Sequence, residues 1–221
     1  MMFNDRTDAG RALAAQLQRF ADREDVLVLA LARGGIPVAR EVADALNAPL
    51  DVFVVRKLGL PGQEELAMGA IASGGVRVLN DDIIRYLRVP EAVVDDVTRA
   101  QAVELERREQ LYREGRPAID VRDRTVILVD DGLATGSTMR AAVGAIRMSG
   151  PRRIVVAVPV AARDACEELG AEADECVCVA RPEPFFGVGR WYRDFTQTTD
   201  DEVRRILSES ARAVAPTPAA G

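Results

Sequence analysis

Histidine is missing from all 221 residues. Its absence excludes the Ser-His-Asp hydrolases, the Cys-His nucleophile pairs and His-ligated zinc sites together, because each needs an imidazole. Cysteine is scarce: Cys166, Cys176 and Cys178 are an odd number, two of them one residue apart, which is a poor basis for a disulfide framework. Reduced, partly buried thiols are expected, and Cys176-Val177-Cys178 has no partner ligands for a metal along the sequence. No uncharged apolar run reaches the roughly 18 residues of a membrane span, and the segment Met1 to Arg11 has neither the basic start nor the apolar run of a signal peptide. A soluble cytoplasmic protein is expected. Basic charge is in deficit, 29 Lys and Arg against 35 Asp and Glu for a net charge of -6, which argues against nucleic-acid or membrane partners. Any cationic site must be local, and chemistry must come from carboxylates, Lys or Arg, hydroxyls, backbone amides or a hard cation.

What is present is ample apolar material, 48% of the chain, enough for one full core. Runs rich in Val, Ile and Leu recur at 26–31, 50–55, 125–130, 154–160 and 175–180, and such near-continuous apolar strands are buried on both faces, as in parallel sheets covered by helices. Helices are expected between them: one with Pro37 in its first turn, ending at Asn47-Ala48-Pro49; one from Ser137 closed by Gly150; one between 160 and 175. The spacing predicts an α/β fold with a doubly wound, mainly parallel sheet. Residues 56–80 break the pattern, opening as a polar, glycine-containing loop and continuing as two short strand-like pieces around Ser73-Gly74-Gly75. The charged helix expected from Pro90 to Arg113 reads as a solvated face or a dimer contact. Residues 181–200 hold the one tryptophan and suggest a small C-terminal hood or flap. The Ala/Pro-rich stretch 211–221 reads as a disordered tail. The domain expectation is thus a core over 1–180, a hood and terminal helix over 181–210, and the tail.

Ligands of open α/β sheets bind beyond the carboxyl ends of the strands, and three loops there are chemically loaded. The first is "VILVDDGLATGST", Val126 to Thr138: Asp130 and Asp131 close the strand, then small residues and the hydroxyls of Thr135, Ser137 and Thr138 lead into a helix N-terminus suited to phosphate. The carboxylates would repel that phosphate, so they must address vicinal hydroxyls or a divalent cation on the same ligand. A P-loop is excluded because no Lys stands in 130–140, and a dinucleotide fingerprint because its glycine spacing is absent. The second loop, Arg33-Gly34-Gly35, offers a guanidinium fork and two glycines that allow close backbone approach, though a tight turn also explains them. The third starts at Arg56-Lys57, adjacent cations at the end of the 50–55 run, suited to a second anionic group.

With these residues assembled, the chain resembles the type I phosphoribosyltransferases, whose diphosphoribose signature matches Val126 to Thr138 throughout. The resemblance implies that Asp130 and Asp131 bind the ribose hydroxyls. The amides and hydroxyls of Ala134, Thr135, Gly136, Ser137 and Thr138 would hold the 5′-phosphate. It implies that Arg33-Gly34 is the pyrophosphate loop, where a strained peptide bond is common, with Gly35 beside it; that Arg56 and Lys57 meet the pyrophosphate; and that 58–75 is a mobile loop. Mg²⁺ would be held mainly by substrate and only indirectly by Asp130 and Asp131. Ala134 stands where 6-oxopurine enzymes place an aspartate, so the motif is closer to the adenine type, and Phe186, Trp191 and Tyr192 of the hood are candidates to stack on a base. The substrates implied are phosphoribosyl diphosphate and a nitrogenous base, a purine ahead of a pyrimidine, in a homodimeric salvage enzyme. The alternative implied by the same fold is a regulator that senses phosphoribosyl diphosphate or a nucleotide without catalysis.

Overall fold

The computed structural model describes residues 1–214, apart from the Glu65 side chain and those beyond residue 211; of the tail expected over 211–221, residues 211–214 continue the last helix and 215–221 lie outside the described residues. Five parallel strands form the main sheet: β1 (Val26–Leu31), β2 (Leu50–Phe53), β6 (Thr125–Val129), β7 (Arg153–Val160) and β8 (Glu175–Ala180), in the order β2-β1-β6-β7-β8. All of β1 and β6 is buried, as a sheet covered on both faces requires.

Alternation along the strands divides their side chains between two cores. Val26, Val28 and Ala30 join one core with helices α1 (Arg6–Gln16), α2 (Gly35–Leu46), α4 (Glu91–Arg113) and α7 (Asp200–Val214). Leu27, Leu29 and Leu31 join the other with α5 (Ser137–Met148) and α6 (Arg163–Glu172). Each fully buried Leu or Val contributes roughly 1.5–3 kcal/mol before entropy is counted, so the period-two pattern of the runs is what holds both helix layers. The chain winds outward from β1 to β2 in one direction and from β6 to β8 in the other. The β1–α2 and β6–α5 loops therefore diverge over a crevice at the carboxyl ends of β1 and β6, the place where such sheets bind ligands.

Residues 56–80 hold strands on both sides of Ser73-Gly74-Gly75, as expected, but are strand also at their start, where the sequence predicts a polar loop. The chain leaves the parallel sheet at Val54, whose amide donates to Ser73 Oγ (2.9 Å) while Ser73 donates its own amide to the Val54 carbonyl (2.9 Å). A separate antiparallel sheet follows: β3 (Val55–Leu60), β4 (Gln63–Ala72) and β5 (Val76–Leu79). Gly62 takes the left-handed conformation its turn demands (φ 81°), and register shifts flank Gly59. After β5 a short helix α3 (Asp81–Leu87) is capped by Asn80, whose side-chain carbonyl accepts from the Ile83 amide.

Helix α4 spans the expected residues but is more than a solvated face. Val94, Leu105, Tyr112 and Arg113 are buried, and Arg113 ties the helix to β2 by donating from Nε to both Asp51 carboxylate oxygens (3.1 and 3.2 Å) and from Nη2 to the Val52 carbonyl (2.8 Å). The expected Glu104–Arg108 pair does form on its outer face (2.8 Å). The hood segment is fastened by the N-terminus: Phe3 donates its amide to the Trp191 carbonyl (2.8 Å) and accepts from the Arg193 amide (2.9 Å). Among the described residues, no helix is long and apolar enough to cross a membrane.

Candidate functional site

Strand β6 delivers two carboxylates to the crevice because its apolar run stops at Val129. The loop after them is fixed to the neighbouring strand: Leu133 donates its amide to the Val160 carbonyl (2.9 Å) and accepts from the Ala162 amide (2.9 Å). Gly136 turns into α5 with a left-handed conformation (φ 71°), leaving Ala134, Thr135, Ser137 and Thr138 exposed at the helix N-terminus. The Thr135 and Ser137 hydroxyls lie 3.2 Å apart. Backbone amides, hydroxyls and the positive end of the helix together make an anion cradle.

The loop after β1 packs directly on these carboxylates. A Cβ on Gly34 would overlap the Asp131 carboxylate, and one on Gly35 would lie 2.6 Å from the Val129 carbonyl oxygen. Both glycines therefore serve the approach of one loop to the other. The Ala32–Arg33 peptide is cis. The Arg33 guanidinium sits 3.6 Å from Asp200, at the start of α7, which also accepts from the Tyr112 hydroxyl (2.6 Å). Burial pushes the Tyr112 hydroxyl up to about 12, so it stays a donor.

Electrostatically the two aspartates are unequal. Burial, then the adjacent Asp131 charge, push Asp130 well above the usual carboxylate range; its Oδ1 accepts the Asp131 amide (2.9 Å). Asp131 is raised by burial too, but Arg6 opposes the shift, placing Nε and Nη2 at 2.9 and 2.8 Å from Asp131 Oδ2. Arg6 on α1, Phe195, Gln197 and Thr198 line the same cleft of about 500 Å³ as Arg33, Gly34, Asp130 and Asp131, and of these first four Arg6, Gln197 and Thr198 do not stand out in the sequence. Arg6 lacks any motif spacing. Phe195 closes the Trp191-Tyr192-Arg193-Asp194-Phe195 stretch, the one signal that points to it.

The adjacent cations do not start a loop at the end of a six-residue strand. They lie in β3, where consecutive residues face opposite ways. Lys57 lines a second cleft, about 550 Å³, together with Ser137, Thr138, Arg85 and Arg140. Arg56 instead donates from Nε to Gln101 of α4 (2.9 Å). Lys57 thus opens onto the same cleft as Ser137 and Thr138 of the anion cradle, whereas Arg56 turns to α4.

The hood aromatics are also sorted by packing. Phe186 is 76% exposed and outside the cleft lining. Trp191 packs in a small core with Phe3, Ala9 and Tyr192. Tyr192 is buried between Phe3 (5.6 Å) and Phe195 (5.0 Å), and its hydroxyl donates to the Asp131 carbonyl (2.6 Å). Phe195, 37% exposed and carrying Arg6 on its ring at 4.1 Å, is the aromatic that reaches the cleft.

Comparison with known proteins gives a consistent picture. The family described as "Phosphoribosyl transferase domain" matches residues 61–190. Protein Rv0571c of Mycobacterium tuberculosis, provisionally named a phosphoribosyl transferase, is 50% identical over 211 residues, 96% of this chain and 47% of that protein. The bifunctional protein PyrR of Clostridium acetobutylicum is 30% identical over 136 residues, 61% of this chain and 57% of that one. The chain thus spans about half the length of these curated relatives. The crystal structure of protein TT1426 from Thermus thermophilus superposes with a TM-score of 0.84 at 44% identity, covering 95% of this chain and 99% of that one.

Proposed function

The chain belongs to the phosphoribosyl transferase domain family, and from that premise we propose that it transfers the 5-phosphoribosyl group from phosphoribosyl diphosphate to a nitrogenous base, a purine ahead of a pyrimidine, releasing pyrophosphate. The observation that carries the reading is the partly buried Asp130–Asp131 pair placed directly before an anion cradle and packed against the Arg33 loop. One ligand with vicinal hydroxyls and a terminal phosphate satisfies both features.

On this reading the ribose hydroxyls donate to Asp130 and Asp131, and the amides and hydroxyls of Ala134 to Thr138 hold the 5′-phosphate. Displacement at C1 passes through an oxocarbenium-like state, so positive charge develops on the sugar and negative charge on the leaving group. Arg33 and Lys57 stabilise that leaving group, while Arg56 adds charge at longer range. Asp130 accepts the neighbouring amide and retains acceptor capacity, which fits a hard cation bound chiefly through substrate. Mg²⁺, when bound, would neutralise part of the pyrophosphate charge. The hairpin over 58–75 closes on the ligand and excludes water. Ala134, which offers no carboxylate, favours a base without a 6-oxo acid partner, and Phe195 forms an apolar wall of the base site. The charged donor cannot cross a membrane unaided, so the reading places the protein in the cytoplasm.

A second reading is a sensor that binds phosphoribosyl diphosphate or a nucleotide without turnover; the Asp130–Asp131 pair and the anion cradle support binding of such a ligand equally well. Purified protein, phosphoribosyl diphosphate and Mg²⁺, assayed for pyrophosphate release with a panel of bases and amines, tests both. Release with a base supports transfer. No release with any acceptor overturns it, and tight binding without release supports the sensor.

A further inference from the structure

The three cysteines, separated in sequence, converge at the far edge of the main sheet. Cys176 and Cys178 alternate along β8 and so face the same side, the one covered by α6. Cys166 on α6 points at both, with Sγ–Sγ separations of 2.8 Å to Cys176 and 2.6 Å to Cys178, while Cys176 and Cys178 are 3.8 Å apart. None is in a disulfide. All three sulfurs lie within 4.8 Å of one another, and the positive charge of Arg181 is near enough to the Cys166 and Cys178 sulfurs to favour their thiolates.

Packing of thiols as small apolar groups accounts for Cys166 at the α6–β8 contact, but it does not account for an arginine charge near the sulfurs. A single disulfide would use two sulfurs and leave the third, and Cys166 is almost equally close to both partners. Three convergent thiolates are a soft ligand set, and soft sulfur selects Zn²⁺ or similarly thiophilic ions over Mg²⁺. A Zn–S length of about 2.3 Å in tetrahedral geometry separates sulfurs by roughly 3.8 Å. Cys176 and Cys178 already stand at 3.8 Å, and Cys166 must retreat by about 1 Å, within reach of a side-chain rotation. Three thiolates and one divalent cation carry a net charge of -1, which Arg181 offsets.

We propose that Cys166, Cys176 and Cys178 form a three-thiolate site for a thiophilic divalent cation, Zn²⁺, with its fourth position open to solvent or an external ligand. The site clamps α6 to the edge strand β8, whose end leads into the hood. Binding converts thiols to thiolates and releases their protons to solvent.

The test uses the full chain, reduced and stripped of metal. Titration with Co²⁺ should give, at one equivalent, sulfur-to-cobalt charge-transfer absorption with intense visible bands, both removed by Zn²⁺. Carboxylates at Asp130 and Asp131 cannot produce the charge-transfer band, so metal bound there is distinguishable. Cys166→Ser should lose the band and weaken Zn²⁺ binding at least tenfold. Because that variant could misfold, the wild-type protein is also alkylated with iodoacetamide: one equivalent of Zn²⁺ should slow modification of all three thiols at least tenfold. No charge-transfer band, equal alkylation with and without Zn²⁺, or a disulfide that persists in the reduced protein overturns the proposal.

Discussion

The loops after β1 and β6 and the hairpin of β3 and β4 both supply groups to the candidate site, yet they are built in opposite ways. The loops are locked by backbone. Leu133 bridges to Val160 and Ala162, and Gly34 and Gly35 bring one loop within contact of Asp131 and Val129. The hairpin carries Arg56 and Lys57 on half-exposed strands with register shifts around Gly59, and its sheet leans on the core that includes α5 through the side chains of Val55, Val76 and Val78. The difference teaches that the half built from Asp130, Asp131 and the α5 N-terminus, which the proposed function gives to ribose and phosphate, is fixed by backbone ties, whereas the cationic half rests on side-chain packing.

The strongest way to break this contrast is to remove the chemistry of the locked half. Asp130→Asn with Asp131→Asn should weaken phosphoribosyl diphosphate binding about 1,000-fold by calorimetry, since several charge-assisted hydrogen bonds are lost at once, while circular dichroism stays native. Retained affinity would remove the ribose role from this pair. On the hairpin, Lys57→Ala should lower turnover by roughly 100-fold with little change in donor affinity or melting temperature, the pattern for a group acting on charge that develops in the transition state. Loss of affinity alone would make Lys57 a ground-state binder.

Two glycines test the supports themselves. Gly34→Ala forces a methyl into the Asp131 carboxylate and should cost about 1–3 kcal/mol in urea unfolding. Gly144→Ala meets only Val78 methyl groups at 3.5 and 3.7 Å inside α5, and should be neutral or stabilise by roughly 0.5–1 kcal/mol. Equal effects would erase the distinction between the halves. The smallest effect concerns pH. Asp130 is raised in the folded state, so its contribution to stability is present at acid pH and is lost as pH rises through the folded value. Asp130→Asn should therefore melt a few degrees higher at neutral pH, with a smaller fall in melting temperature between acid and neutral buffer. A wild-type melting temperature that rises over that interval, unchanged by Asp130→Asn, would show that Asp130 is not held protonated.

Much of the main sheet is legible in sequence because burial on both faces writes itself as an apolar run. The runs at 26–31 and 175–180 match β1 and β8, and Asn47 and Gly150 end or follow their helices in left-handed conformations. Helices α1 and α3 leave no such mark, since α1 buries only four small or single apolar residues and α3 buries none. The 50–55 run reads as one strand, but Val54 pairs with Ser73, 19 residues onward, and no local pattern encodes that contact.

By itself, the chain's order of residues determined the loop chemistry: two carboxylates before small residues and hydroxyls, an Arg-Gly-Gly turn, and no imidazole anywhere. Those choices are local, because strand ends, caps and anion cradles depend on neighbours along the backbone. Only the tertiary structure decided which cations share a face, which aromatic reaches the cleft, that Arg6 holds Asp131, and that Cys166 meets Cys176 and Cys178. Each of these is a meeting of side chains from distant elements, set by how helices pack on the sheet and invisible to any short window of sequence.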